Sequence, residues 1–289
     1  MIVLAALIIA SNHVLARYIG GVIPPFGMVF WRSAVSAAFL LLFAWSGLRQ
    51  HHQLILRHWK LFVLMGLLFV PLGNGLIYTA YTFTTAINGG VVSASQPAIT
   101  VLLVWLLFRE TITWKQAVGI VIAGLGVLVI ITRGDPAAVL RMEFNIGDLI
   151  MLIAIAFAAL YNVLIRNIPD EIKVPELMFV VMVTGLLAAL PVYILETIFI
   201  LPVPVSWLSI GSFLWVGIAV TAIAVGLLNA AIRRIGANKA SMSNYMRALF
   251  TALLAVVLLG EEFQTFHTIA MVLVIGGVYL MTLGRKAPA

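Results

Sequence analysis

The chain has 289 residues, of which 63% are hydrophobic and only 9% charged, with a mean hydropathy of +1.16. Soluble globular chains carry about 25% charged residues, so too few charges exist here to cover a water-exposed surface. This excludes a sizeable soluble domain, a disordered tail and a soluble enzyme on an anchor. Cysteine is absent, which removes disulfides, thiol catalysis and iron–sulfur clusters. The net charge of +7 reads as membrane orientation rather than nucleic-acid binding in so apolar a chain. The lipid bilayer is therefore an expected partner, and nucleic acid is not.

About 20 apolar residues at 1.5 Å each cross roughly 30 Å of hydrocarbon. In chain order the apolar stretches run over 2–19, 26–46, 61–83, 89–108, 114–132, 147–166, 174–196, 207–230, 235–259 and 266–284. They do not alternate, unlike the strands of outer-membrane barrels, which are segments of about 10 residues. The first stretch has no basic flank, and Asn12 and His13 interrupt it, so it reads as a retained helix rather than a signal peptide. The expected fold is an all-α membrane protein with ten transmembrane helices.

The connections are short, so positive residues orient the chain. With a cytoplasmic N-terminus, the inner side holds Arg49, Arg57, Lys60, Arg109, Lys115, Arg166, Lys173, Arg233, Arg234, Lys239, Arg285 and Lys286. The outer side holds only Arg17, Arg133 and Arg141. Both termini are expected in the cytoplasm, in a bacterial inner (plasma) membrane.

Two segments align at an offset of 151: Ala86-Ile87-Asn88 through Glu110 to Gly126-Val127, and Ala237-Asn238-Lys239 through Glu261 to Gly277-Val278. Near the start of each half, His13-Val14-Leu15-x-Arg17 matches Asn162-Val163-Leu164-x-Arg166 at an offset of 149. The chain therefore reads as two five-helix repeats, 1–140 and 145–289, within one integral membrane domain. Five is odd, so the repeats are inverted relative to each other. Inverted repeats with a midplane site are a transporter architecture.

The stretch TTAINGGVVSASQPAITVLLVWLLFRETITWKQAVGIVIAGLGVLV, with its central Pro97 and acidic hairpin, resembles the fourth and fifth helices of EamA-type carriers of the drug/metabolite transporter superfamily. RIGANKASMSNYMRALFTALLAVVLLGEEFQTFHTIAMVLVIGGVYL resembles the matching stretch of the second half, and ASNHVLAR resembles the opening helix. The resemblance implies ten helices, a central cavity and transport of small organic solutes, often export of amino acids or related metabolites. It implies no cofactor. Three positions depart from the pattern. Arg109 stands where the hairpin usually has Gly, Ile9-Ala10 replaces Trp-Gly, and Arg247-Ala248 stands opposite Gln96-Pro97.

Polar side chains inside spans usually face the bundle or a water-filled cavity. Ser93, Gln96 and Thr100 share one helical face, and an offset of 151 brings Asn244, Arg247 and Thr251 to the same face of the partner helix. Asn74, Tyr78 and Tyr81 form a stripe in the third span, answered by Asn229 in the eighth. Asn12 and His13 in the first span match Tyr161 and Asn162 in the sixth. These twelve candidates (Asn12, His13, Asn74, Tyr78, Tyr81, Ser93, Gln96, Tyr161, Asn162, Asn229, Asn244 and Arg247) are expected to line one solute cavity. Interhelical hydrogen bonding is the competing account for each residue alone.

Arg247 falls at the centre of the 235–259 stretch, and every acid maps to a loop or span end. It is expected either to meet an anionic group of the substrate, such as a carboxylate, or to bond neighbouring carbonyls, Tyr245 or Asn groups. Arg32 is expected to snorkel toward the outer face, with substrate contact the alternative. His13 is expected to be a neutral histidine bonded to a neighbouring helix, with a proton-carrying role the alternative. Without an embedded carboxylate, facilitated diffusion or exchange is favoured over proton coupling. Glu110 and Glu261 are expected to accept backbone N–H groups at the start of the next helix. Pro71 and Pro97 are expected to kink their helices. Gly119-x-x-x-Ala123 suits close helix contact within a chain or between two, which leaves a homodimer open. His51-His52 is assigned to a solvated cytoplasmic loop.

No protease motif, phosphate-binding glycine loop or metal-ligand spacing is present, so no catalytic or metal residues are expected. The expected function is a secondary transporter of small organic solutes. A channel or a non-transporting membrane scaffold are the alternatives.

Overall fold

Backbone polar groups in hydrocarbon must be satisfied within the chain, which favours helices in so apolar a sequence. The computed structural model describes residues 2–135, 138, 144–236, 240 and 243–283, and every regular element among them is helical. Arg141, Lys239, Arg285 and Lys286 of the charge pattern, and Ala237 and Asn238 of the repeat, lie outside the described residues. In chain order the helices are α1 (Ile2–Tyr18), α2 (Pro25–Arg57), α3 (Trp59–Ala80), α4 (Ala86–Phe108) and α5 (Trp114–Ile131). They continue with α6 (Ile146–Asn167), α7 (Val174–Phe199), α8 (Trp207–Ile235), α9 (Ser243–Leu259) and α10 (Thr265–Leu283). Helices α2 to α8 are long and apolar enough to cross a membrane; α1, α9 and α10 contain shorter apolar helices.

Helix ends follow local chemistry. Thr85 caps α4 by accepting from Asn88 N, and Thr113 forms a reciprocal capping box with Gln116 at α5. Asn145 caps α6 by accepting from Gly147 N and Asp148 N. Gly236 and Gly260, both at positive φ, follow the ends of α8 and α9. One boundary differs from expectation. Helix α2 continues to Arg57, with a single non-helical residue at His51, so the expected loop at His51-His52 is helical. His51 Nδ1 lies 2.8 Å from Glu176 Oε2 of α7, which anchors that extension. Arg247 lies within the described part of α9, Ser243–Leu259.

Three helices are irregular inside. Residues Leu68–Gly75 of α3, including Pro71, and Trp215–Val225 of α8 are wound as π-helix. The offset of 151 superimposes most of these two segments. Side chains fill the looser turns: Asn74 Nδ2 donates to Phe69 O at 2.5 Å, and Thr221 Oγ1 donates to Val216 O at 2.8 Å. In α4 the helix breaks at Ser95, just before Pro97, whose ring supplies no N–H to the turn.

Packing is governed by small residues that let backbones approach. Helices α5 and α10 cross where a Cβ on Gly277 would stand 2.6 Å from Ala123 N and Gly119 O. The Gly119/Ala123 stripe is thus used within the chain. Helices α3 and α7 meet where a Cβ on Gly66 would stand 2.6 Å from Gly185 N. Helix α1 packs against α8 and α9, and α6 against α3 and α4. Helix α2 packs on α7 and α8, α3 on α7, and α4 on α9.

Candidate solute-binding site

The breaks in α3, α4 and α8 converge on a cavity of about 70 Å³. Gly73 and Asn74 reach it from the π-segment of α3, Val220 and Val225 from that of α8, and Gln96 from just past the break in α4. Local irregularity of this kind is tolerated at membrane depth where it lines a cavity or is buried in protein. Asn12 and His13 of α1, Tyr161 and Asn162 of α6, Arg32 of α2 and Arg247 of α9 complete the polar wall.

Seven of the twelve sequence candidates therefore face the cavity: Asn12, His13, Asn74, Gln96, Tyr161, Asn162 and Arg247. Four stand behind them as hydrogen-bond partners. Tyr78 donates to Asn12 Oδ1 at 2.5 Å, and Asn229 Nδ2 donates to the Tyr161 hydroxyl at 2.8 Å. The Tyr81 hydroxyl lies 2.5 Å from His13 Nδ1, which ties that buried histidine to the neighbouring α3. Asn244 Nδ2 donates to Gln96 Oε1 at 2.7 Å. The twelfth, Ser93, is fully buried away from the cavity wall, and its hydroxyl has no hydrogen-bond partner among the described residues.

Arg247 is 8% exposed, on a helix that packs against α1 and α4. Its Nη2 donates to Gln96 Oε1 at 3.3 Å, while its Nε has no acceptor among the described residues. The Tyr245 hydroxyl, expected as a structural partner, is itself without one among the described residues.

Arg32 corrects an expectation. It does not snorkel: it is 2% exposed and turned into the bundle, where its guanidinium carbon stands 5.6 Å from the centroid of the Tyr78 ring. Its Nε and Nη1 have no acceptor among the described residues. A central arginine costs about 2.5–3.5 kcal/mol on insertion scales. The same argument that singled out Arg247 applied to Arg32, but its place early in α2 suggested an easy route to the interface. Contacts of α2 with α3, α7 and α8 close that route.

Among the described residues, no carboxylate lines this cavity. The buried acids are engaged at helix ends. Glu196 accepts from Phe26 N and Gly27 N at the start of α2, at 3.2 and 2.7 Å. Glu261 accepts from Ala86 N and Ile87 N, at 2.7 and 2.9 Å, so it caps α4 and not the helix that follows it. Glu110 instead pairs with Arg166, at 3.0 Å.

A second network escaped the sequence reading. Asp148 accepts from Thr84 Oγ1 at 2.5 Å and from Asn88 Nδ2 at 3.2 Å, and Asn88 Oδ1 lies 2.9 Å from His267 Nε2. Together with Arg17 and Glu261 it borders a wider cavity of about 360 Å³ at one end of the bundle. Asp148 at the start of a span and His267 at the start of another were the available signals. Only the fold brings them to one place.

The chain matches the EamA-like transporter family over residues 1–132 and 145–283. The chain belongs to that family. Relatives of this EamA-like transporter carry transporter names. "Uncharacterized transporter YyaM" of Bacillus subtilis (strain 168) is 27% identical over 91% of this chain and 86% of its own. An "Uncharacterized transporter" of Archaeoglobus fulgidus is 23% identical over 98% of this chain and 96% of its own. A crystal structure of another protein shares the fold, with a TM-score of 0.65 at 20% identity, over 98% of this chain and 95% of that one. The EamA-like transporter is thus an integral membrane protein whose family handles small-molecule solutes.

Proposed function

We propose that this EamA-like transporter is a secondary carrier that exports small organic solutes, such as amino acids or related metabolites, by alternating access. The solute binds in the cavity bounded by Arg247, Gln96, Asn12, His13, Asn74, Tyr161 and Asn162, with Arg247 meeting an acidic group. The carrier crosses a bacterial inner membrane ten times, with both termini in the cytoplasm, as two inverted five-helix halves at 1–140 and 145–289.

Helix neighbours support the two halves. The contact of α1 with α9 is matched by that of α6 with α4, α3 with α6 by α8 with α1, and α2 with α8 by α7 with α3. Helices α2 and α7, α4 and α9, and α5 and α10 pair with each other, as equivalent helices do across a two-fold axis. The bridge between Arg166 and Glu110 has its counterpart in Arg17 and Glu261, 3.9 Å apart. An arrangement of this kind can open to either side by moving one half against the other. The direction of transport rests on family resemblance alone.

The observation that carries the reading is Arg247: a buried guanidinium whose Nε has no acceptor, in a cavity with no carboxylate, among the described residues. Counterflow in proteoliposomes tests it. Vesicles are preloaded with amino acids, organic anions or cationic drugs, and exchange of each labelled solute is followed for wild type and Arg247→Gln. Saturable exchange of carboxylate-bearing solutes, lost in the variant, is expected. Exchange indifferent to Arg247 discards the site and keeps the carrier. Unsaturable single-channel currents favour a pore, and no flux of any solute favours a scaffold.

A further inference from the structure

The cavity holds two guanidinium groups, and the carrier reading uses one. We propose that the site selects a compact organic dianion, with two acidic groups on one short carbon skeleton. Arg247 of α9 holds one group and Arg32 of α2 holds the other. This rests on the carrier reading above.

Four observations lead here. Arg32 and Arg247 both line the cavity, from different helices. Both are buried, and between them Arg32 Nε, Arg32 Nη1 and Arg247 Nε have no acceptor among the described residues. The protein contact Arg247 does make is with a neutral amide oxygen, Gln96 Oε1, which Asn244 already occupies at 2.7 Å. The buried carboxylates that might answer these charges are committed elsewhere. Glu196 holds the start of α2, Glu176 faces His51, Asp148 faces Thr84 and Asn88, and Glu261 holds the start of α4.

A monocarboxylate entering the cavity neutralises one guanidinium and leaves the second buried and unanswered. A solute with two separated acids satisfies both, and each charge-assisted contact is stronger than a neutral one. Asn12, Asn74 and Asn162 supply uncharged groups along the wall for the skeleton's substituents. The small volume of about 70 Å³ favours a short skeleton over a large conjugate.

Counterflow with defined probes tests the idea: succinate with two carboxylates, butyrate with one on the same carbon count, inorganic phosphate with two charges on one group, and butane-1,4-diol with none. Wild type is expected to exchange succinate in preference to the other three. Arg32→Gln should lower succinate exchange at least about tenfold, the scale of one lost charge-assisted bond. It should lower the weaker butyrate flux less than the succinate flux, while Arg247→Gln lowers both. Arg32→Lys, which keeps the charge, should recover part of the succinate flux. An unchanged melting midpoint in detergent, together with retained butyrate flux, distinguishes a lost contact from a lost fold.

Equal exchange of butyrate and succinate, preference for phosphate, or an Arg32→Gln protein with normal succinate exchange each overturns the dianion site. In those cases the carrier reading survives. Absence of exchange for these probes and for every solute of the wider panel overturns the carrier reading itself.

Discussion

Tyr78 of α3 donates its hydroxyl to Asn12 of α1 at 2.5 Å, and the same bridge recurs between α6 and α8 with the two residue types exchanged. There Asn229 donates its amide to Tyr161 at 2.8 Å. Position 12 matches 161 at an offset of 149, and position 78 matches 229 at an offset of 151. One phenol and one amide therefore hold each pair together, in either order. Both bridges stand at the cavity, where they fix the polar side chains that a solute would meet.

A double-mutant cycle measures this bridge. Tyr78→Phe alone leaves the Asn12 carbonyl buried without a donor, which costs roughly 1–3 kcal/mol. Asn12→Leu with Tyr78→Phe removes both groups and costs less than the sum of the single changes. The coupling energy should be about 0.6 kcal/mol, the average for hydrogen bonds between membrane helices. Reversible unfolding in mixed micelles reads all four proteins; a coupling of zero would mean that the bridge contributes nothing.

Gly277→Val tests the crossing of α5 and α10. Its added Cβ meets Ala123 N and Gly119 O at 2.6 Å, and both are backbone atoms that no rotamer change can move. Overpacking of this kind typically costs about 1–3 kcal/mol. The variant should melt earlier in detergent. By contrast, Gly276→Ala, at a position with nothing within 4 Å of the added carbon, should change the midpoint little.

Arg109→Gly should stabilise the protein. Arg109 closes α4 at φ 55°, in the left-handed region, where an L side chain costs roughly 1–2 kcal/mol. The equivalent turn after α9 uses Gly260 at φ 65°. Glycine's greater freedom in the unfolded chain offsets part of the gain, so a net increase of about 0.5–1 kcal/mol is expected. An unfolding titration showing a loss instead would mean that the Arg109 side chain makes a favourable contact exceeding the strain.

Glu261→Ala should loosen the first turn of α4. Glu261 accepts from two of the four N–H groups that a helix start leaves unpaired. Loss of such a cap costs roughly 0.5–2 kcal/mol. Hydrogen–deuterium exchange should accelerate in the peptide carrying Ala86 and Ile87 and stay unchanged in the first turn of α5, which Thr113 caps by itself.

Much of the site was legible because helical spacing constrains neighbours along one helix. The face shared by Ser93, Gln96 and Thr100, and its partner face at Asn244, Arg247 and Thr251, follow from spacing alone. The Gln96–Asn244 and Gln96–Arg247 contacts realise that pairing. Pro97 announced the break at Ser95 in the same way, because a missing N–H is a local defect. Ser93 shows the limit: a face is about 100° wide, and whether its edge meets a cavity or another helix depends on what packs there.

Hydropathy by itself determined that this is a membrane protein, because the energy of moving apolar side chains into hydrocarbon depends on composition and length and needs no partner. Only the tertiary structure decided that Arg32 turns inward, that Glu261 caps α4, and that Asp148 meets His267 through Asn88. Those contacts join residues 60 to 179 positions apart. Their energies are set by distance and burial in space, and neither quantity can be read along a chain.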